Sequence, residues 1–138
     1  MPVSLGRRRR VTDNPSEVVV HQRIRNRIIE YLDAASRPET WPLTFGIAAE
    51  LVNQWEDWVL PAWLPHYGPP VFSAAELDAI HEFSTAWDRA ADSIFREGVA
   101  LDTVINCDQS RQFALAAGAA LAVFMRRGKL SEDREISS

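Results

Sequence analysis

The chain has 138 residues, of which 46% are hydrophobic and 25% are charged, and its formal net charge is −4. This size and composition predict one globular domain, because the chain is too short to build two separate cores. No stretch reaches the roughly 18 apolar residues needed to span a bilayer. The single cysteine, Cys107, cannot form an internal disulfide. No apolar segment follows the N-terminal arginines, which argues against an export signal. We therefore predict a soluble, cytoplasmic protein.

The charge is distributed unevenly along the chain. Residues 1–37 carry eight arginines against four acidic residues, a net charge of +4. Residues 38–138 carry seven basic against fifteen acidic residues, a net charge of −8. An acidic body repels phosphate backbones and accelerates the encounter with basic partners.

The first predicted helix spans about 15–36. Asn14 is a suitable N-cap, and Pro15 suits the first helical position. Apolar residues then recur every three or four positions, which predicts a buried stripe of Val20, Ile24, Ile28, Tyr31 or Leu32, and Ala35.

The second predicted helix spans about 44–60 and ends at Pro61. Its apolar stripe is predicted to consist of Ile47, Leu51, Trp55, Trp58 and Val59. The proline-rich connection that follows, 61–72, is about twice the usual length, which is typical of a loop that is functional or packed down by its own aromatic side chains.

Two further helices are predicted at about 73–97 and 108–127. Ser73 and Glu76 form a capping box at the start of the third. The fourth is rich in alanine, and Gly128 is a natural stop. With no alternating strand pattern, these segments predict an all-α, single-domain bundle of four main helices over 14–130. The basic segment 1–13 and the segment 131–138 are predicted to be disordered tails.

Motifs for most enzyme classes are missing. The sequence has no phosphate-binding loop, dinucleotide fingerprint, hydrolase elbow or zincin motif. Three histidines and one cysteine are too few for a structural zinc site. Asp78 and His81 share a helix face, but a dimetal bundle requires that pattern twice. We therefore predict no enzymatic activity, no cofactor and no metal.

The arginines near the N-terminus suggest a second class of function. Arg7–Arg10 together with Arg23, Arg25 and Arg27 could line a phosphate-binding strip. Against this, Arg25 points to a different face of the helix, and the isoelectric point of about 5.3 is low for a nucleic-acid-binding protein. Association with nucleic acid through the arginine-rich N-terminus is kept as an alternative.

The stretch 53–70, NQWEDWVLPAWLPHYGPP, concentrates three of the five tryptophans beside acidic residues. Trp55 belongs to the predicted core, whereas Trp58 and Trp63 either pack there or remain exposed. Exposed aromatic side chains ringed by carboxylates are typical of a binding site for a basic protein. This acidic aromatic surface is predicted to comprise Glu50, Asn53, Glu56, Asp57, Trp58, Trp63, His66 and Tyr67.

Four stretches of the chain show a family resemblance: NRIIEYLDAAS (26–36), ELVNQWEDWV (50–59), PPVFSAAELDAIHEFSTAWD (69–88) and AALAVFMRRGKL (119–130). They resemble a group of small bacterial proteins of uncharacterised activity that are similar in kind to the immunity proteins of polymorphic toxin systems. The resemblance covers roughly residues 26–130 and implies a compact helical protein that binds and blocks a cognate toxin. It supplies no catalytic residues.

The sequence thus predicts a non-enzymatic interaction protein that inhibits a basic toxin or enzyme through the acidic aromatic surface. One alternative is a small-ligand-binding or enzymatic domain with a pocket near His66, which requires a concave site with convergent polar groups. A homodimer through the alanine face of the fourth helix is a further alternative. None of these hypotheses involves a membrane.

Overall fold

The computed structural model describes residues 15–37, 53–59, 63–96 and 108–136. Their regular structure is helical and consists of α1 (Glu17–Ala35), α2 (Trp55–Trp58), α3 (Ala74–Arg96) and α4 (Asp108–Phe124), with a 3₁₀ turn at Leu64–His66. Helices α3 and α4 form the most extensive contact, α4 also packs on α1, and α2 packs on α1. The prediction of an all-α bundle of four helices is confirmed.

Local signals explain where three of the helices begin and end. Ser16 caps α1 through its Oγ, which accepts a hydrogen bond from the Val19 amide at 3.2 Å, so the helix starts two residues later than predicted. The predicted capping box of α3 is confirmed, because Ser73 Oγ accepts from the Glu76 amide at 3.2 Å. Helix α4 ends at Phe124, and Gly128 reverses the chain with a φ of 75°, which favours glycine.

Trp55 is the aromatic centre of the contact between α2, α1 and α3. It is only 2% exposed, its ring lies edge-on to Phe83 at 4.6 Å, and its Nε1 donates to Ser84 Oγ at 3.0 Å. The prediction that Trp55 belongs to the core is confirmed. The rest of the predicted second helix, residues 44–52 and 60, lies outside the described residues, as do residues 1–14 and 97–107.

The buried face of α1 differs from the predicted stripe in its first half. Val20 is 37% exposed and Ile24 is half-buried, so the prediction that Val20 is in the core is wrong. Gln22, Arg25 and Asn26 are buried instead, with exposed fractions of 0%, 0% and 1%. A periodicity of apolar residues cannot detect buried polar side chains. The sequence pattern therefore assigned the more hydrophobic face of the helix to the core. The second half agrees with the predicted stripe: Ile28, Tyr31, Leu32 and Ala35 are buried.

Arg25 is buried because Glu76, at the start of α3, matches its guanidinium with two hydrogen bonds. The Nη2–Oε2 distance is 2.8 Å and the Nε–Oε1 distance is 3.2 Å. The same guanidinium donates to the carbonyl oxygens of Phe124 and Gly128, which the end of α4 leaves without helical partners. One side chain of α1 thereby joins the first turn of α3 to the last turn of α4.

A second arginine completes this arrangement from the solvent side. Arg127 donates to both carboxylate oxygens of Glu76 and to the carbonyl oxygens of Pro70 and Val71. We call Arg25, Glu76 and Arg127 the Glu76 clamp. With the Ser73 amide as a further donor, the Glu76 carboxylate accepts hydrogen bonds from three residues while being 2% exposed.

Residues 130–136, which follow α4, lie along α1, and we call them the C-terminal strap. The sequence predicts disorder over 131–138, whereas residues 131–136 in the structure are hydrogen-bonded to Gln22, Arg23, Asn26 and Arg27. The difference has a physical reason: the strap has no helical periodicity, and its partners are more than a hundred residues away in sequence. Within the described parts of the chain, every helix is too short or too polar to traverse a lipid bilayer.

The Glu76 clamp predicts a large loss of stability for Glu76→Gln. The substitution leaves the fully buried Arg25 guanidinium without a countercharge, and breaking a buried pair in this way costs roughly 3–5 kcal/mol. Urea unfolding followed by circular dichroism measures the change. Glu82→Gln, on the exposed face of α3, is the matched control and is expected to stay within about 0.5 kcal/mol of the parent. A loss of less than about 1 kcal/mol for Glu76→Gln would contradict this role.

The clamp also predicts acid sensitivity. Burial alone would raise the pKa of Glu76, but hydrogen bonds from Arg25 and Arg127 outweigh it and lower the pKa below the ordinary glutamate value of 4.5. A carboxyl group whose pKa is lowered by folding contributes stability above its unfolded-state pKa, and the contribution disappears as the pH falls through the folded-state pKa. We expect the melting temperature to fall steeply below pH 4.5 in the parent. Glu76→Gln should fall less over the same range, and parallel profiles would exclude Glu76 as the titrating group.

Candidate functional site: a pocket between α1 and the aromatic loop

The loop that precedes α3 is ordered by its own backbone. The His66 amide donates to the Trp63 carbonyl at 2.9 Å, and the Tyr67 amide donates to the Leu64 carbonyl at 3.1 Å. These bonds close the 3₁₀ turn, in which proline supplies a fixed φ near the start. The turn presents Trp63 and His66 to solvent while Tyr67 points inward.

A pocket of about 330 Å³ lies between this turn and the first half of α1. We call it the loop–helix pocket, and its lining comprises Glu17, Val20, His21 and Ile24 from α1 and Trp63, His66 and Tyr67 from the loop. Its apolar lining combines the rings of Trp63 and Tyr67 with two residues of α1, the exposed Val20 and the half-buried Ile24. A pocket of this size lies at the lower end of the range typical of small-ligand sites.

Trp63 is the most accessible large aromatic group of the pocket. The sequence left open whether this side chain packs in the core or remains exposed, and in the structure it is 43% exposed. His21 forms the opposite wall: its ring lies edge-on to Tyr67 at 5.2 Å, and 16% of its side chain is exposed. The pocket therefore has one wall that is exposed to solvent, Trp63, and one wall that is held by packing, His21.

Tyr67 forms the floor and connects the pocket to α2. Its ring stacks on Phe72 at 4.6 Å, and its hydroxyl donates to the Trp58 carbonyl at 2.6 Å. Burial raises the pKa of Tyr67 to about 12, so the phenol stays neutral and acts as a donor at physiological pH. Tyr67 is 4% exposed and supports the surface from below, in contrast to its predicted position on the partner-binding surface.

The charged group of the pocket is the Glu17 carboxylate. Its Oε1 lies 4.0 Å from Nε2 of His21, and 78% of its side chain is exposed. No lysine or arginine lines the pocket among the described residues. Glu56 and Asp57 are exposed on α2, the helix whose last carbonyl Tyr67 binds. The edge of the aromatic surface is therefore acidic.

The structure brings together part of the predicted surface. Trp63 and His66 line the loop–helix pocket, Asn53, Glu56 and Asp57 are exposed on or beside α2, and Trp58 is half-buried against the core. Glu50 lies outside the described residues. Sequence reasoning missed the contribution of α1, namely Glu17, Val20, His21 and Ile24. The only local signal was the pairing of Glu17 and His21 one helical turn apart.

A second concavity of about 470 Å³ runs between α3 and α4, on a floor that includes Ala79, Ala116 and Ala120. The alanines permit the close approach of the two helices, as their small size predicts. The homodimer hypothesis concerns this alanine face, and it stays a prediction. Within the described residues, no group of three or more histidine, cysteine, aspartate or glutamate side chains has the arrangement of a metal site.

The described arginines of the predicted phosphate-binding strip have protein partners. Arg23 donates through Nε to the Glu132 carbonyl at 2.8 Å, and Arg27 pairs with Glu132 and lies 3.5 Å from Glu30. Arg25 is buried in the Glu76 clamp. Arg7–Arg10 lie outside the described residues.

The hydrogen bond of Tyr67 at the floor of the pocket predicts a loss of stability for Tyr67→Phe. The substitution removes the donor to the Trp58 carbonyl, and losing one part-buried hydrogen bond lowers the unfolding free energy by about 1 kcal/mol. Thr85→Val removes an exposed hydrogen bond to the His81 carbonyl and serves as the control, with an expected change below about 0.5 kcal/mol. Chemical denaturation compares both variants with the parent, and equal stability of Tyr67→Phe and parent would contradict the role of the hydroxyl.

No protein-family model matches this chain, and the curated proteins and the solved structures likewise contain no match to it. Any functional assignment consequently has to come from the geometry of the loop–helix pocket and the chemistry of its surroundings.

Proposed function

We propose that the protein is a non-enzymatic interaction module, of the inhibitor or immunity type, which binds a basic protein partner around the loop–helix pocket. The observation that supports this most strongly is Trp63, a 43% exposed tryptophan on an ordered turn at the mouth of a mostly apolar pocket. Tryptophan is enriched among the residues that dominate binding energies at protein interfaces. Ordering of the turn before binding reduces the entropy lost in the complex.

Charge supports a basic partner. The Glu17 carboxylate lines the pocket, Glu56 and Asp57 are exposed on α2, and residues 38–138 carry a net charge of −8. Such a field increases the rate of association with a positively charged protein and disfavours acidic competitors. Association would then be steered by charge and stabilised by burial of Trp63.

The lining of the pocket suits an amphipathic side chain of the partner. Val20 and Ile24 can cover an aliphatic stem, while Glu17 and the indole face of Trp63 can hold a cation at its end. Lysine and arginine have this combination of stem and charge. The mechanism of inhibition would be occlusion, since binding over this surface requires no chemistry from the module itself.

A second candidate function is binding of a small ligand, favoured by the pocket beside His66. His21, His66 and Glu17 converge on it and provide the polar groups that such a site requires. A small ligand would raise the melting temperature of the isolated protein, with a stabilisation that grows as the logarithm of the ligand concentration above its Kd. In that case, binding would not depend on the acids of α2.

The interaction proposal predicts that Trp63→Ala impairs binding far more than folding. A photo-crosslinking residue introduced at position 66, where the exposed His66 lines the same pocket, identifies the partner while Trp63 stays in place. The affinity of the purified partner is then measured by calorimetry. We expect Trp63→Ala to cost about 2 kcal/mol, roughly a 30-fold increase in Kd. Its unfolding free energy should stay within about 0.5 kcal/mol of the parent, because the side chain is largely outside the core.

Leu115→Ala is the matched control for loss of an exposed apolar side chain. Leu115 is 73% exposed on α4, away from the loop–helix pocket, so its removal should leave the affinity unchanged. The proposal is wrong if Trp63→Ala binds as tightly as the parent, or if both substitutions weaken binding equally. Glu56→Gln and Asp57→Asn should mainly slow association, and the difference should shrink as salt is added.

A further inference from the structure

Helix α1 buries two amide side chains whose partners belong mostly to the backbone of the C-terminal strap. Gln22 is 0% exposed and Asn26 is 1% exposed. Buried amides have to be hydrogen-bonded, because a buried polar group without a partner is costly. Here, a segment without helical structure supplies the partners.

The amide of Asn26 pairs with both backbone groups of a single residue. Its Nδ2 donates to the Leu130 carbonyl at 2.8 Å, and its Oδ1 accepts from the Leu130 amide at 2.9 Å. Gln22 continues the pattern one turn away. Its Nε2 donates to the carbonyl oxygens of Ser131 and Arg134, and its Oε1 accepts from the Ile136 amide. All these bonds can form with any residue type in the strap except proline at the two donor positions.

One strap side chain is recognised specifically. The Glu132 carboxylate accepts hydrogen bonds from Asn26 at 3.0 Å and from Arg27, while Arg23 donates to the Glu132 carbonyl. The hydrogen bond from Asn26 and the charges of Arg27 and Arg23 lower the pKa of Glu132, although burial opposes them. Leu130 packs against the core two positions earlier. The requirements are thus an apolar residue followed two positions later by an acid.

We propose that this face of α1 is a binding site for an acidic peptide segment, which the chain's own residues 130–136 occupy and which a partner's peptide of the same chemistry can occupy in their place. The paired amide contacts favour a peptide over a phosphate group, because Asn26 bonds to a donor and an acceptor of one residue, and phosphate offers only acceptors. Displacing the strap would free Arg23 and Arg27 for the incoming carboxylate.

The local geometry of the strap explains which peptides fit. Ser131 Oγ accepts from the amides of Asp133 and Arg134, which folds the middle of the strap into a turn. This turn brings the carbonyl oxygens of Ser131 and Arg134 to the same amide of Gln22. A competing peptide therefore needs a serine or another turn-forming residue directly before its acidic residue.

The experiment uses the full chain and a fluorescent peptide with the sequence of residues 129–138, and follows binding by fluorescence anisotropy. The C-terminal strap of the same chain competes with the labelled peptide, so the parent chain should bind the peptide weakly. Glu132→Gln in the chain weakens this competitor and should increase the apparent affinity about tenfold. Replacing the corresponding glutamate of the peptide with glutamine should reduce its affinity about tenfold, because a charge-assisted contact is lost.

Asp133 supplies the matched control, since its side chain is exposed and carries the same charge one position later. Asp133→Asn in the chain or in the peptide should leave the apparent affinities unchanged. The proposal is overturned if the peptide fails to bind the folded Glu132→Gln chain, or if the two acidic positions contribute equally.

Hydrogen exchange on the parent chain keeps the proposal testable should Glu132→Gln fail to fold. The amides of Leu130 and Ile136 are protected by side chains of α1, so they report directly on release of the strap. We expect them to exchange at least about 100-fold faster than buried amides of α1, through local opening. Exchange of these amides only by global unfolding would show that the strap is not displaceable and would refute the proposal.

Discussion

The ion pair between Arg25 and Glu76 is the contact on which the arrangement of the three long helices depends. It buries opposite charges from α1 and α3 while satisfying carbonyl oxygens at the end of α4. Arg25 also lies over the ring of Phe124, with its Cζ 5.2 Å from the centroid. A charge pair is a demanding constraint, because its burial is favourable only when every remaining donor is matched. The register and rotation of α1 are consequently set by this match.

That rotation has two consequences for the surface of α1. Because Gln22, Arg25 and Asn26 face inward, Val20 and Ile24 lie toward the outside. The aromatic loop covers them only in part, and the space between becomes the loop–helix pocket. The amides of Gln22 and Asn26 would lose hydrogen bonds without the C-terminal strap. Helix α1 thus contributes Val20 and Ile24 to the loop–helix pocket, and Gln22 and Asn26 to the face that binds the strap. Both faces result from the rotation that buries the polar residues of α1.

The sequence predicted the loop residues of the candidate site but not the residues that α1 contributes to it. The tryptophans and acids of 53–67 stand out in composition, but the sequence left open whether Trp63 packs in the core or remains exposed, and only the structure shows that it is 43% exposed. The wall contributed by α1 could not be predicted, since Val20 and Ile24 have the spacing and hydrophobicity of core residues. Tyr67 was predicted on the acidic aromatic surface, whereas in the structure stacking on Phe72 and a hydrogen bond to the Trp58 carbonyl hold it inside.

The sequence by itself determined the helices α1, α3 and α4, the capping box at Ser73, the turn at Gly128 and the burial of Trp55. Each of these depends on contacts within a few residues or on a regular spacing of apolar side chains. Only the tertiary structure decided the burial of Arg25, the rotation of α1 and the position of the strap. The reason is sequence distance: the partners of Arg25 lie 51 and 103 residues away, and the Asn26 partner Leu130 lies 104 residues away. These polar side chains are buried because groups distant in sequence form hydrogen bonds with them, and no local sequence pattern indicates such bonds.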